Sequence, residues 1–415
     1  MHDQTKFTVI VPTRERADTL HYCLQTIVRQ KYDNLQILVS DNFSQDDTEQ
    51  VVRRFADSRI AYVNTGRRLG MSRNFEFALS HVRDGWVTYL GDDDGLLPNG
   101  LAQANAVIRE TGCKALSSKW HHYTWPNFDG IVEPNRLTVR TGRGYEIRDA
   151  RMALRHALGG RISYLELPGI YIGGFAEFET LNRLRNSAGN VFLTNSPDMY
   201  AAVALSSVLD RYVHINRPLS ICGASAHSIG ASSFKSSRNA SPRAQFLSEA
   251  DIPFHPALGD GHVRSMQLHL YEAYLKASHL HNGFLGTPTE EQLALSVALA
   301  DEGAEDVEPY CKAIAQAHGI DFQVIQAAAR RISFGRRIGS IGAKIRSPFP
   351  EFAVDGAAFG LANIRDAAVA ASCLYFQATA GGRWRLRKVA AALSRKFTSL
   401  KSLMRSHGPA NESRP

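Results

Sequence analysis

Residues 86–100 read WVTYLGDDDGLLPNG. Trp86-Val87-Thr88-Tyr89-Leu90 is a short apolar run, and such a run bounded by turn residues reads as a buried strand. It ends in Gly91 and three successive aspartates, Asp92, Asp93 and Asp94. An isolated acidic triplet reads as a solvated turn, here one leading into Leu96-Leu97-Pro98. The position directly after a buried strand changes that reading, because ligands of open α/β sheets sit beyond the carboxyl ends of the strands.

The sequence before the triplet alternates strand and helix signals. Phe7 to Val11 reads as a strand stopped by Pro12, and Leu35 to Val39 as a second one ended by Ser40-Asp41-Asn42. Ile60 to Val63 is a short third. Between them lie helical patterns over 17–30, with Leu20, Leu24, Ile27 and Val28 on one face, over Asp46 to Phe55 and over Met71 to His81. Strands alternating with helices imply a mostly parallel, Rossmann-like α/β sheet with helices on both faces. Farther on, Ala115 to Tyr123, Leu137 to Arg140 and Tyr212 to Ile215 read as strands. Asp149 to Leu158, Phe175 to Arg185 and Asp198 to Val208 read as helices. Ser225 to Asn239 reads as a mobile loop, and helical patterns dominate from about residue 245.

Three strand ends therefore carry polar chemistry: Pro12-Thr13-Arg14-Glu15, Asp41-Asn42, and Asp92 to Asp94. A carboxylate at Asp41 can accept hydrogen bonds from a base N–H or a ribose hydroxyl. The triplet can hold a hard divalent cation through oxygen, since such a cation needs few protein carboxylates when phosphates supply other ligands. Adjacent carboxylates with nothing between them repel, which makes a cation there physically reasonable. Competing motifs are missing. The 65–72 loop lacks a GK[ST] ending, and no GxGxxG follows the first strand.

Four pieces, FTVIVPTRERADTLHYCLQTIVRQ, LQILVSDNFSQDDTEQVV, NTGRRLGMSRNFEFAL and WVTYLGDDDGLLPNGL, occur in one order. Together they resemble the family 2 inverting glycosyltransferases of GT-A fold, well over residues 7–100 and weakly to about 230. The resemblance implies a nucleotide-sugar site. Pro12, Thr13, Arg14 and Glu15 would line the nucleotide, and Asp41 would contact the base. Gly70, Arg73 and Asn74 would lie near the ribose and diphosphate. Asp93 would be the direct ligand of Mn2+ or Mg2+, with Asp92 or Asp94 assisting through ribose or water. His227 would reach the metal when its loop closes; otherwise it is a plain surface histidine. The implied organisation is a donor half (1–105), an acceptor and catalytic half (106–240), a helical C-terminal region (241–380) and a basic amphipathic tail (381–415).

Inverting transfer needs a general base for the acceptor hydroxyl. Asp198, in Asn195-Ser196-Pro197-Asp198, is the first choice, with helix capping as its structural alternative. Glu177 and Glu179 are the runners-up, with an exposed helix face as theirs. His121 and His122, beside Trp120, Tyr123 and Trp125, would stack on a sugar or simply pack a strand.

Composition sets the bounds. With 415 residues, 44% apolar and 21% charged, the chain is globular and long enough for two or three units. Five dispersed cysteines without a CxxC pair fit reduced thiols in a cytoplasmic protein. No leader pattern opens the chain, and no apolar run approaches a membrane span. The net charge of +8 is concentrated near the end: Arg383 to Arg405 holds eight basic residues and no acidic one. Val389, Leu393, Phe397, Leu400 and Met404 recur there at helical spacing. That pattern fits an in-plane helix on an anionic membrane surface, or a helix with a solvated basic face. No nucleic-acid module accompanies it. The expected activity is metal-dependent transfer from a nucleoside diphosphate sugar, UDP by default, to a glycan or lipid-linked acceptor in surface polysaccharide or glycolipid synthesis. A nucleotidyltransferase and a non-catalytic nucleotide-binding scaffold are the alternatives. Donor sugar, linkage and oligomeric state stay open.

Overall fold

The structure, a computed structural model, describes residues 4–130, 132–228, 241–259, 265–281, 288–301, 304–346 and 351–379. The basic stretch 383–405 and the part of the 225–239 loop beyond Ser228 lie outside the described residues. Eleven strands form one sheet. They are β1 (Phe7–Thr13), β2 (Leu35–Asp41), β3 (Ile60–Asn64), β4 (Trp86–Tyr89), β5 (Gly95–Leu96), β6 (Ala115–Thr124), β7 (Arg136–Arg140), β8 (Tyr145–Asp149), β9 (Phe175–Glu177), β10 (Arg211–Ala224) and β11 (Glu351–Asp355).

The order β3-β2-β1-β4 is parallel throughout, as the alternating pattern requires. In-register pairs such as Thr13↔Asp41 bring the first two polar strand ends side by side. Side chains alternate across this sheet and feed two cores. Val9, Val11, Ile37 and Val39 meet Leu20, Leu24 and Ile27 of α1 (Ala17–Val28) on one face. Ile10 and Leu38 meet Phe75, Ala78 and Leu79 of α3 (Met71–Leu79) on the other. The small α2 (Thr48–Arg53) and α4 (Gly100–Thr111) complete this half.

Beyond β4 the sheet is mixed. β9 runs antiparallel between β4 and β6, and β6 pairs in parallel with β10. The helix read over Phe175 to Arg185 is therefore divided: Phe175–Glu177 is strand, and α6 starts only at Phe178 (Phe178–Ala188). The two strands that recruit β9 lie far away in sequence, so local periodicity could not show them. Likewise β10 runs well past Ile215. Pro218 interrupts the pattern, and the register with β6 shifts between Ile215 and Ser220 before pairing resumes at Trp120. That second half of β10 carries Cys222, Gly223 and Ala224 up to the acidic triplet.

α5 (Ala150–Leu158), α7 (Pro197–Val208) and helix Met266–Lys276 share the α3-side core with Leu295 and Ile314 of the later helices. The C-terminal region is not wholly helical, because β11 pairs antiparallel with β7. Helix Ile364–Thr379 packs on Tyr123, Leu137 and Ile221 in a third core. All five cysteines are free. Among the described residues no helix is long and apolar enough to cross a membrane.

Phe175 is fully buried and meets Phe7 edge-on, with centroids 5.5 Å apart. Phe175→Ala is expected to cost about 3–5 kcal/mol in chemical denaturation, as for other core phenylalanines. A loss within about 0.5 kcal/mol, typical of a surface position, would contradict β9.

Candidate functional site

The carboxyl ends of β1, β2 and β4 open into a cavity of about 1210 Å³. Its wall includes Pro12, Thr13, Arg14, Glu15 and Asn74, then Asp92, Asp93 and Asp94, and also Asp198 and His227. Residues drawn from five separate stretches of sequence thus meet in one space. Asp41, Gly70 and Arg73 are not part of this wall.

Three neighbouring carboxylates are buried here, with relative exposures of 2% (Asp92), 6% (Asp93) and 1% (Asp94). Charges are kept out of water only when each finds its own partner, and the backbone turns them three ways. Asp92 Oδ1 accepts from Arg16 Nη1 at 2.9 Å. Burial raises the Asp92 pKa and Arg16 works against that rise. Burial would likewise lower the Arg16 pKa, but Asp92 and Asp93 hold the guanidinium firmly protonated. Asp93 Oδ2 accepts from Ser225 Oγ at 2.7 Å and Ser228 Oγ at 2.6 Å. Asp94 accepts from the Gly223 N–H at 2.7 Å on one oxygen, and from the Gly91 N–H at 3.1 Å and the Tyr171 hydroxyl at 3.2 Å on the other. Burial and the charge of Asp93 raise the Asp94 pKa.

Both glycines are required by this clasp. A Cβ at Gly223 would stand 1.8 Å from the Asp93 carbonyl oxygen, which also accepts from Trp125 Nε1 at 3.0 Å. A Cβ at Gly91 would stand 2.6 Å from Asp94 Oδ2.

The divalent cation fits this arrangement in a limited way. Among the described residues no group of three or more His, Cys, Asp or Glu side chains closes into a metal site. Both Asp94 oxygens are engaged by protein donors, whereas Asp93 Oδ1 has no hydrogen-bond partner among the described residues. One or two carboxylate oxygens suffice for a cation whose other ligands are phosphate and water. The His227 ring is half-exposed and lies 4.0 Å from Asp18, and its carbonyl accepts from Arg16 Nη2 at 2.6 Å.

Beside the ends of β1 and β2, Glu15 has a left-handed backbone (φ 53°) fixed by its N–H to Ser44 Oγ at 2.9 Å and by Arg68 on its carboxylate at 2.9 Å. Asp41 is enclosed: it accepts from the Ser44 N–H (2.9 Å), the Tyr62 hydroxyl (2.6 Å) and Asn64 Nδ2 (3.0 Å). It shapes the turn beside the cavity, while its neighbour Asn42 lines the wall. Asn74 Oδ1 accepts from Ser40 Oγ at 2.7 Å. A segment from the C-terminal region lies over these residues. Glu249 pairs with Arg14, and Asp251 accepts from the Gly70 N–H at 3.1 Å and lies 4.0 Å from Arg73 Nε.

Asp198 also lines the cavity; it lies in the first turn of α7, accepts from the Tyr164 hydroxyl at 2.8 Å, and has its pKa raised by burial. Glu177 pairs with Lys114 at 2.9 Å and faces Trp86 at the start of β4, the opposite end from the triplet, so neither runner-up reaches the cavity. His122 reaches the wall, whereas His121 is fully buried, accepts the Arg140 N–H at 3.1 Å and is pushed down to about 3 by burial. Trp120 carries the Arg140 guanidinium on its face, and the Tyr123 hydroxyl donates to Asn135, so these aromatics pack the strand.

Sequence reading assigned no role to Arg16, Tyr164, Tyr171, Ser225, Ser228, Glu249 and Asp251. Only Arg16 had a signal, as the cation closing the Pro12-Thr13-Arg14-Glu15-Arg16 strand end. The serines lie 132 and 135 positions from Asp93.

Residues 8–161 match the model of the glycosyl transferase family 2. A Campylobacter jejuni protein named GalNAc(5)-diNAcBac-PP-undecaprenol beta-1,3-glucosyltransferase is 38% identical over 100 residues, 23% of this chain and 32% of that one. An Escherichia coli protein named UDP-Glc:alpha-D-GlcNAc-diphosphoundecaprenol beta-1,3-glucosyltransferase WfgD is 27% identical over 140 residues, 33% of this chain and 54% of that one. The alignments thus span only part of either relative. The crystal structure of S. aureus TarS 1-349 superposes with a TM-score of 0.44 at 15% identity, covering 80% of this chain and 92% of that one. Residues 8–161 are thus similar to the glycosyl transferase family 2, and they span the parallel β1–β4 unit and the start of the mixed part of the sheet.

Asp94→Ala would leave two backbone N–H groups and the Tyr171 hydroxyl without their acceptor. At about 1–3 kcal/mol for each unsatisfied group, it is expected to lower stability by about 3 kcal/mol or more. An unchanged denaturation midpoint would show that the clasp does not hold the strand ends together.

Proposed function

We propose that this chain transfers a sugar from a nucleoside diphosphate sugar to a hydroxyl of a glycan or lipid-linked acceptor, with inversion, in surface polysaccharide or glycolipid synthesis. The observation that carries this reading is the cavity itself. It gathers the triplet at the end of β4 and the carboxylate of Asp198, in the first turn of α7, around one space. The names of the curated relatives support a lipid-linked acceptor and, for the Escherichia coli protein, UDP-glucose as donor.

In this reading Pro12, Thr13, Arg14, Glu15 and Asn74 cradle the donor, and Asp41, Gly70 and Arg73 hold the frame around it. Asp93 holds Mn2+ or Mg2+ together with the donor's phosphates, Asp92 and Asp94 set its position, and His227 approaches from its loop. When bound, the cation neutralises charge on the departing diphosphate. Asp198 accepts the acceptor's hydroxyl proton as that oxygen attacks the anomeric carbon and the bond to the diphosphate breaks. The products are the glycosylated acceptor and the nucleoside diphosphate. Residues 383–405 would bring the enzyme to the anionic membrane surface where a lipid-linked acceptor resides.

Two variants test the assignment. Asp93→Ala should lower turnover on the order of 100-fold and abolish manganese-dependent binding of the nucleoside diphosphate in calorimetry. Asp198→Asn should lower turnover about 100-fold or more with nucleotide binding intact. Release of pyrophosphate instead of nucleoside diphosphate would identify nucleotidyl transfer. No binding of any nucleoside diphosphate with manganese would leave a scaffold.

A further inference from the structure

Tyr164, Leu165 and Glu166 form a single 3₁₀ turn between α5 and β9, and Tyr164 and Glu166 line the cavity. The proposed chemistry makes no use of Glu166, yet Glu166 is the centre of a polar network that joins three strands. Its carboxylate accepts from Lys119 Nζ at 2.6 Å and from Arg148 at 3.1 Å, and His214 Nε2 lies 3.7 Å away. Its carbonyl accepts from the Tyr212 hydroxyl at 2.7 Å and from Ser117 Oγ at 2.8 Å. Those partners stand on β6, β8 and β10. Burial opposes charge on Glu166, but Lys119 and Arg148 hold its pKa below the ordinary range. A short turn is thereby bolted to three strands at once, and the residue it presents to the cavity is Tyr164.

We infer that Tyr164 is the positioning residue of the general base: its hydroxyl, 2.8 Å from Asp198 Oδ2, holds one oxygen of that carboxylate so that the other addresses the acceptor hydroxyl. The terminal torsion of an aspartate is broad. One fixed donor, together with the start of α7, narrows it. Tyr164 can serve only as a donor here, because burial and the neighbouring Asp198 charge keep its hydroxyl protonated. Tyr171 is the other ionisable group that feels Asp198, while Arg161, Cys222 of β10 and His269 of helix Met266–Lys276 line the same cavity. The inference rests on Asp198 as the base.

The test compares wild type, Tyr164→Phe and Asp198→Asn, with UDP-glucose as donor and water as acceptor, following UDP release against pH. It also follows UDP binding by calorimetry and carboxyl titration by ¹³C NMR of aspartate-labelled protein. Tyr164→Phe keeps the ring and removes one hydrogen bond to a charged group. It should lose about tenfold in kcat with KM for UDP-glucose and UDP affinity unchanged. A hydrogen bond to the ionised form lowers a carboxyl pKa. Its loss should therefore move the acid limb of the pH profile, and the Asp198 resonance, to higher pH. A purely structural role would instead lower the melting temperature and leave the acid limb in place. Wild-type kcat with an unmoved limb in Tyr164→Phe, or an unmoved Asp198 titration, overturns the positioning role. Wild-type turnover in Asp198→Asn overturns the base assignment itself.

Discussion

Three consecutive carboxylates cannot be buried together unless each is satisfied separately, and the architecture around the cavity follows from that constraint. The side chains leave the turn after β4 in three directions, toward Arg16, toward the serine pair, and toward the Gly91 and Gly223 backbone. Each direction recruits a different part of the chain. The end of β1 arrives with Arg16, the end of β10 with Gly223, and the turn beyond β10 with Ser225 and Ser228. The same demand excludes side chains at Gly91 and Gly223, where a Cβ would collide with the clasp. Polar satisfaction and close packing thus specify one arrangement of the strand ends.

The clasp also divides the triplet's labour. Asp94 is tied to the backbone on both oxygens and acts as a structural post. Asp92 is matched by a guanidinium. Asp93 is held on one oxygen by two hydroxyls, which exchange more readily than a charged partner or a backbone N–H. In the proposed chemistry this leaves Asp93 as the carboxylate most open to a cation, and places Arg16 and the 225–228 turn beside it. In the same cavity, Asp198 is held by the Tyr164 hydroxyl and not by the donors that clasp the triplet.

The C-terminal region joins the site rather than standing away from it. Glu249 and Asp251 lie against Arg14, Gly70 and Arg73, and Asn195 fastens that segment through both its amide atoms to Ile252. Helix Met266–Lys276 adds His269 and Leu270 to the wall. The cavity is thus roofed by chain that follows the glycosyltransferase match at 8–161.

How much of this was legible in the sequence depends on the range of the interaction involved. The β1 to β4 unit was, because hydrophobic alternation, helix faces and the stops at Pro12 and Asn42 are local, and parallel pairing follows from strand–helix alternation. The triplet's place at a strand end followed too, and with it the cavity. β9 was read as helix, and β8 and β11 were not read at all, since a three- or five-residue strand is defined by partners that local pattern does not contain. Tyr164, Ser225 and Glu249 were equally hidden, because their partners, Asp198, Asp93 and Arg14, lie 34, 132 and 235 positions away. Sequence by itself determined which strand ends carry carboxylates and other polar side chains. Tertiary structure decided which of those groups remain available, because a buried carboxylate is defined by the donors that surround it, and those donors come from everywhere else in the chain.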